Sequence, residues 1–469
     1  MAGGSFTFLA VDGTGRPSDP ASRAAIRSQC MKGVNVRQDS RRSRRKAKNR
    51  EVHSRESVGP DTKDAIIIRR KESSLHRTSS FRNERLYSQL FRSLNTSVDD
   101  FGFDSSLFPS SIMQTVMKYN NIIENVYPLD TSLNIQNWMI DDFQFLYQNK
   151  TLLSAIYLAT YAVDDLRCST RLSSWTQQLL CNILSSLNRD LHQSAGQQSS
   201  TTLITILILL FPAELLQDFG ALRSHLEGVR RLCLIRDNAP TGLDAKLLYK
   251  IQQFDLRLAL ASGQPLHLAL EYNGYPPLPM PLIITPDVLQ KLKVHSPWAI
   301  EAFQNLQALT RDIKDAMNTR NDLIWTDFQS QISNIQTQLL DPNNNCAGTD
   351  EALRLGMLAF LTTLSRNPVR RQQLPELQRQ FETSYTVMQE QNMNHKTFAI
   401  WVMMMGFFST VEVSNPIVGD LWDVMVDNDL SWESMRDMIL EEDLPWIDFI
   451  HDGPAKEAFV YLQAQRTLL

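Results

Sequence analysis

Residues 244–263 read DAKLLYKIQQFDLRLALASG, with apolar residues at steps of three and four positions. This is the period of an α-helix that buries one face. The residues of that face are Leu247, Leu248, Ile251, Phe254 and Leu258. Asp244 can cap the first turn, and Gly263 can adopt the left-handed conformation that ends many helices. The sequence therefore predicts one amphipathic helix between Asp244 and Gly263.

The same spacing extends on both sides of this helix. Asp218 can cap the preceding helix, and Ser296-Pro297 can start a later one, because proline lacks only an amide that the first turn leaves unpaired. Further helical patterns cover about 113–126, 350–366, 374–391, 396–412 and 417–440. No Asn-Gly or Asp-Gly turn joins two alternating apolar runs. We therefore predict an all-α, multi-helix globular body over residues 100–465.

Residues 1–92 have a different composition. They contain 21 Lys and Arg against 9 Asp and Glu, whereas the remaining 377 residues contain 26 against 42. Apolar residues are too sparse in this segment to offset the conformational entropy that folding removes. We therefore predict a basic, largely disordered N-terminal arm ahead of an acidic body. Such a split favours contact of the arm with nucleic acid or with an import receptor.

Composition also excludes several classes of protein. The longest apolar stretch, 398–408, is far shorter than the roughly 20 residues that a membrane-spanning helix needs, so we predict no membrane contact. The first residues, MAGGSFTFLAVDGTGR, lack the basic start and apolar segment of a secretory signal. The 5 cysteines are widely spaced, which favours reduced thiols over a disulfide framework. These features predict an intracellular protein.

Motifs for metal binding and catalysis are missing from the sequence. No CxxC or HExxH pair occurs, so we predict no metal site. No GxSxG turn, Walker A loop or GxGxxG loop occurs, so we predict no cofactor and no enzymatic activity. One alternative is a helical enzyme like the terpene cyclases, because residues 164–168 begin like their magnesium-binding DDxxD motif. Cys168 stands in place of the third acid, and we interpret Asp164 and Asp165 as acids at a helix end.

The segment 411–453 combines acidic and aromatic residues. It contains twelve Asp and Glu and a single Arg, interleaved with Trp422, Met425, Trp432, Met435 and Trp446. Acidic and aromatic residues in this arrangement can form an activation segment that docks on a coactivator. They can also form amphipathic helices with an acidic outer face. The helical spacing of the apolar residues favours the second interpretation.

The basic run, residues 41–50, is the most informative feature of the arm. Seven of its ten residues are cationic, namely Arg41, Arg42, Arg44, Arg45, Lys46, Lys48 and Arg50. Such a cluster fits the acidic groove of a nuclear import receptor or the phosphate backbone of DNA, and its simplest alternative is a solvated charge run. No leucine heptad follows, which argues against a leucine-zipper basic region. We predict a nuclear import signal, with any DNA contact weak and independent of sequence.

Residues 225–236, HLEGVRRLCLIR, resemble a characteristic helix of the fungal-specific transcription factor domain, and residues 251–263 resemble the helix that follows it. The motif positions are His225, Leu226, Gly228, Arg230, Arg231 and Arg236. A subgroup of these regulators that lacks the zinc cluster has a similar N-terminal arm. The similar segments here are Phe6-Thr7-Phe8, residues 23–31 and the basic run. The resemblance covers about residues 5–50 and 110–460. It implies an all-α regulatory domain in which the motif helix is structural.

The sequence departs from most of that family in the arm. The family's zinc cluster needs six cysteines within about thirty residues, and the arm contains only Cys30. Zinc-cluster reading of DNA is therefore excluded for this chain. From the resemblance and the basic run, we expect a transcription-regulator-like protein of the nucleus that binds proteins, and DNA through its arm, without catalysis. The expected partners are a nuclear import receptor, DNA and other transcription regulators. A helical scaffold in the cytosol is the main alternative, and it would make no use of the basic run.

Overall fold

The computed structural model describes residues 110–129, 146, 149–193, 200–235, 245–268, 286–319, 325–344, 346–390 and 395–466. These residues form 15 α-helices and no strand, which confirms the all-α class. The helices are α1 (Ser110–Val126), α2 (Lys150–Cys168), α3 (Ser174–Leu191), α4 (Ser200–Leu215), α5 (Phe219–Ile235), α6 (Ala245–Ser262), α7 (Asp287–Lys291), α8 (Pro297–Thr319), α9 (Trp325–Leu340), α10 (Thr349–Thr363), α11 (Pro375–Glu390), α12 (Lys396–Ser409), α13 (Pro416–Met425), α14 (Trp432–Glu441) and α15 (Asp448–Arg466). The predicted arm, 1–92, lies outside the described residues.

Local signals in the sequence set several helix ends. The Asp218 carboxylate accepts a hydrogen bond of 2.9 Å from the backbone N–H of Ala221, which confirms it as the cap of α5. Gly263 has a positive φ of 68° and ends α6, as its position predicts. Helix α8 begins at Pro297, also as predicted. The predicted cap of α6, Asp244, lies outside the described residues.

The helix predicted over 417–440 consists of two helices in the structure, α13 and α14. The apolar spacing over 417–440 continues across α13 and α14, but the backbone leaves the helical path between them. Ser431 starts the second helix, because its hydroxyl accepts a hydrogen bond of 3.1 Å from the backbone N–H of Ser434. The apolar spacing alone did not reveal this break, since both helices bury faces of the same period.

The core is built around helices that are buried on nearly every side. In α12, every residue from Thr397 to Phe407 is buried, and α10 is buried from Leu355 to Thr363. Helix α4 is similar from Thr202 to Ala213. Helix α10 packs against α12, and α4 packs against α2 and α5. A helix without a polar face must be surrounded by other helices, so these three define the interior.

Two glycines allow close contacts between helices. A Cβ atom on Gly356 of α10 would lie 2.4 Å from Cζ3 of Trp401 in α12, and one on Gly406 would lie 2.1 Å from the Tyr385 hydroxyl. Trp401 is fully buried, and its indole N–H donates a hydrogen bond of 2.9 Å to the Pro445 carbonyl oxygen. The tryptophan therefore cannot withdraw without losing that bond, and position 356 has room for hydrogen only.

Within the described ranges, no helix combines the length and apolarity that a bilayer crossing demands.

Replacing Gly356 by Ala tests the α10–α12 contact. Although alanine favours a helix by about 1 kcal/mol over glycine, we expect a net loss of about 1–3 kcal/mol in the free energy of unfolding, because the methyl group overpacks Trp401. Gly419→Ala in α13 is the matched control, since no atom lies within 4 Å of its Cβ position. It should leave stability equal or raise it. Urea unfolding that ranks the two variants the other way would contradict the packing.

Candidate functional site

The sequence-predicted contact residues Arg41, Arg42, Arg44, Arg45, Lys46, Lys48 and Arg50 lie outside the described residues, as does Arg236. Helix α5 carries the other motif positions. Leu226 is completely buried in the core, and His225 is partly buried, which lowers its pKa. A Cβ atom on Gly228 would lie 3.9 Å from Ile206, so alanine would fit at this position. The glycine of the motif is therefore not required by packing here.

The motif arginines bind a glutamate of their own helix. Arg230 forms two hydrogen bonds with Glu227, of 2.8 and 2.9 Å, and Arg231 forms a third of 2.7 Å. His267 Nε2 lies 3.0 Å from the same carboxylate. Hydrogen bonds from Arg230, then from Arg231, hold the pKa of Glu227 well below its usual range. Both arginines thus organise the surface around Glu227.

A buried aspartate fixes the turn that follows α6. Asp255 is 2% exposed, and its two carboxylate oxygens accept backbone N–H bonds from His267 and Leu268, of 2.9 and 2.7 Å. Burial raises the pKa of Asp255, and the two backbone bonds counteract part of that rise. The contact places His267 against Glu227 and so joins α6 to α5.

Arg257 of α6 is a positive charge in the interior of the described body. Its side chain is 2% exposed and forms an ion pair with Glu214 at the end of α4, including one Nη2–Oε2 contact of 2.9 Å. A second guanidinium nitrogen donates to the Ser365 hydroxyl, just after α10. Burial alone would lower the pKa of Arg257, but the Glu214 charge and Tyr127 keep it raised. One guanidinium thus links three helices.

The acids of the DDxxD-like segment have structural partners. Asp164 forms an ion pair with Lys118 of α1. Asp165 accepts a hydrogen bond of 2.7 Å from the backbone N–H of Ser173, ahead of α3. Among the described residues, no three His, Cys, Asp or Glu side chains converge as metal ligands. The two acids stand in the last turn of α2, as the helix-end interpretation predicts.

The acidic C-terminal segment forms amphipathic helices with buried aromatic faces. Trp422, Trp432 and Trp446 are between 0% and 9% exposed, as are Met425 and Met435. These side chains are therefore part of the core and are not displayed for docking. The outer acids converge on the one arginine of the segment, because Arg436 pairs with Asp448 at 3.0 Å and with Asp452 at 2.9 Å.

A neutral histidine lies in the aromatic centre of this region. His451 is 1% exposed, and the ring centroids of Phe360, Phe408 and Trp446 lie 5.1–5.3 Å from its own. Its Nδ1 accepts the backbone N–H of Ile447 at 2.9 Å, so in the neutral ring Nε2 carries the proton and donates to the Thr363 hydroxyl. Burial, reinforced by Arg366 and Lys314, holds its pKa well below 6.5.

A cavity opens between α1, α4 and α6. Its lining residues repeat at helical spacing on all three helices, and they are Tyr119, Ile123, Tyr127, Ile204, Leu207, Ile208, Phe211, Leu247, Lys250 and Phe254. The cavity has a volume of about 60 Å³, which is room for about two water molecules. The Lys250 ammonium lies 4.9 Å from the ring centroid of Tyr127. The walls are thus apolar, with two tyrosines and one cation as polar groups.

The sequence patterns did not single out Glu227, His267, Asp255, Arg257, Glu214 or His451. Glu227 pairs with arginines three and four positions further along its own helix, which is a local spacing. The contacts that join the other residues to distant parts of the chain span 12 to 88 positions, which local periodicity does not encode. A signal was nonetheless present in Arg257, since it is a lone cation within the apolar run 254–262. A charge in such a run predicts a buried partner.

Comparison of the chain with protein-family models, curated protein sequences and solved structures finds no match.

Arg257→Met is expected to lower the free energy of unfolding by about 3–5 kcal/mol, because it leaves the Glu214 charge buried without its partner. The double variant R257M/E214M should lose less than this single change, since it removes both charges. Lys396→Met is the matched control. Lys396 pairs with Asp427 on the exposed surface, where solvent screens the interaction, so the unfolding midpoint should barely change. A loss in the double variant equal to the sum of the losses in Arg257→Met and Glu214→Met would show that the pair is not coupled.

His451 should make the protein less stable in weak acid. The folded pKa lies well below the unfolded value of 6.5, so the unfolded chain takes up the proton first as the pH falls. Stability is therefore full above about pH 6.5 and falls below it by up to about 1.4 kcal/mol per pH unit. His451→Gln should flatten the slope of unfolding free energy between pH 7 and 5. A slope in His451→Gln that equals the wild-type slope would contradict this assignment.

Proposed function

We propose that this chain is a transcription-regulator-like protein of the nucleus that acts by binding and not by catalysis. The observation that carries the proposal is the basic run, in which seven of ten residues are cationic. A cationic segment without a fixed fold, as the sequence predicts for the arm, can extend into the acidic groove of an import receptor and satisfy several sites at once. Lysine and arginine both serve in this contact, because charge and reach matter more than bidentate geometry.

The charged groups of the helical body support a binding role, because they stabilise contacts within the fold. Glu227, Asp255 and Arg257 each stabilise a junction between helices or a turn. The His451 imidazole is enclosed by aromatic rings and bound to Thr363. Each of these groups is held by partners within the fold, whereas a general base must reach the proton of a substrate. This favours a regulator or scaffold over the helical-enzyme alternative.

DNA is the second partner of the arm in this proposal. Cations on an arm that the sequence predicts to be largely disordered neutralise phosphates and release counterions, but they are not held against base edges. Contact through six phosphates gives a slope of log affinity against log salt of roughly −5. Other transcription regulators are the proposed partners of the body.

Replacing Arg41, Arg42, Arg44, Arg45, Lys46 and Lys48 by Ala should move a fluorescent fusion of the full chain from the nucleus to the cytoplasm. The change removes six charges from the receptor contact and none from residues 110–466, so thermal unfolding should stay the same. The measurement is the ratio of nuclear to cytoplasmic fluorescence, taken together with the melting curve of the purified protein.

Two matched controls separate an import signal from bulk charge. Substituting Lys for Arg41, Arg42, Arg44 and Arg45 keeps the charge and should keep the fusion nuclear. Substituting Ala for Arg69, Arg70, Lys71, Arg77, Arg82 and Arg85 removes six charges elsewhere in the arm and should also keep it nuclear. A wild-type fusion that stays cytoplasmic would contradict the proposal and favour the cytosolic scaffold.

A further inference from the structure

A polar groove lies between α7, α8 and the end of α14. Its volume is about 530 Å³, within the range of roughly 300–1,000 Å³ that is typical of sites for small molecules. Helix α8 forms one wall with Gln304, Gln307 and Arg311, which share a face because they are three and four positions apart. Helix α7 contributes Asp287 and Lys291. The groove is therefore large enough for a molecule the size of an amino acid.

Three successive acids line the groove where α14 ends. Glu441 is the last residue of α14, and Glu442 and Asp443 follow it directly. The carbonyl groups at the end of a helix already give that end a partial negative charge, so acids there are unfavourable without a cation nearby. One carboxylate oxygen of Glu442 is also shielded from solvent, and no donor in the described part of the chain reaches it. This side of the groove therefore attracts a cationic group.

A buried glutamine holds the acidic side in place. Gln307 is 6% exposed, and its amide nitrogen donates to the backbone oxygen of Asp443 at 2.7 Å and to the Asp443 carboxylate at 3.0 Å. Asp443 has a positive φ of 50°, which is uncommon for a residue other than glycine. The two hydrogen bonds stabilise this turn and connect it to α8. The acids are thus held opposite the α8 wall before any ligand binds.

The cations of the groove leave these acids unpaired. Lys291 and Arg311 line the same space as Glu441 and Glu442, yet none of these four side chains forms an ion pair in the described structure. Opposite charges attract strongly where water is partly displaced, so unpaired charges around one space favour a ligand that contacts both kinds. A molecule that carries an ammonium and a carboxylate can do this, whereas a simple cation or anion can satisfy only one kind.

We propose that the groove between α7, α8 and α14 binds a small zwitterion whose ammonium and carboxylate are separated by a short aliphatic chain. The ammonium pairs with the acids at the end of α14, and the carboxylate pairs with Arg311 and Lys291. Four acids and two cations line the groove, so the ammonium contributes more to binding than the carboxylate. This inference does not depend on the nuclear function proposed above, since it uses no residue of the arm.

Isothermal titration calorimetry of the full chain tests the site with 6-aminohexanoate, hexylamine and hexanoate. The three probes have carbon chains of the same length and differ in their charged groups. 6-Aminohexanoate should bind about fivefold more tightly than hexylamine, because it adds a partly solvated ion pair. Hexanoate should bind most weakly, since it lacks the ammonium and brings a negative charge to a groove with more acids than cations.

Variants of the two sides separate their contributions. Glu442→Gln should weaken 6-aminohexanoate and hexylamine severalfold and by the same factor. The double variant K291Q/R311Q should remove the preference for 6-aminohexanoate over hexylamine. Glu457→Gln and Arg223→Gln, at exposed positions of α15 and α5, are the matched charge controls and should leave all affinities unchanged.

A steric variant tests the space itself. Ala308 lines the groove on α8 and is only partly buried, so Ala308→Trp should fill the groove and abolish binding of 6-aminohexanoate. Its folding is checked by its circular dichroism spectrum. The charge variants decide the question if it does not fold.

Several outcomes would overturn the proposal. Hexylamine that binds as tightly as 6-aminohexanoate would show that the carboxylate makes no favourable contact. Affinities for 6-aminohexanoate that are unchanged in both Glu442→Gln and K291Q/R311Q would place the ligand elsewhere. Absence of binding heat at millimolar 6-aminohexanoate, together with an unshifted melting temperature, would show that the groove takes no such ligand.

Discussion

A permanently charged guanidinium in the interior is the constraint around which this fold is arranged. Arg257 cannot lose its proton, and it stands where almost no water reaches. Its charge and its N–H groups must be matched by the protein itself, which Glu214, Ser365 and Tyr127 do. Glu214 belongs to α4, Ser365 follows the end of α10, and Tyr127 follows the end of α1. Four distant parts of the chain therefore have to converge before the charge is stabilised.

Hydrogen bonds beside the partners of Arg257 also satisfy backbone carbonyl groups at the ends of α1 and α4. The last carbonyl groups of a helix lack internal partners. The backbone N–H of Arg366 donates to the carbonyl oxygen of Val126, the last residue of α1, at 2.7 Å. The Arg370 guanidinium donates to the Leu215 carbonyl at the end of α4. Apolar faces can slide past one another at little penalty, whereas these directed bonds hold only in one arrangement. The polar junction thus sets the register of the surrounding apolar helices.

Local features of the chain were readable from sequence, and long-range partnerships were not. The cap at Asp218, the end at Gly263 and the start at Pro297 each depend on residues within one turn, so composition and spacing predict them. The break between α13 and α14 was missed, because the apolar period continues across it. The pairing of Arg257 with Glu214 spans 43 positions and is invisible to periodicity. The cavity is formed by three helices together, so no single segment of the sequence predicts it.

The absence of a side chain at Gly356 has a consequence for synthesis of the chain on the ribosome. Trp401, the residue that covers this glycine, follows it by 45 positions. At about 5–20 residues per second, the α10 surface waits roughly 2–9 s for its cover. During that interval the apolar surface of α10 around Gly356 lacks the side chain that covers it in the folded protein. The burial of α10 is therefore completed only by a helix that is synthesised later, so the two helices become stable together and not one after the other.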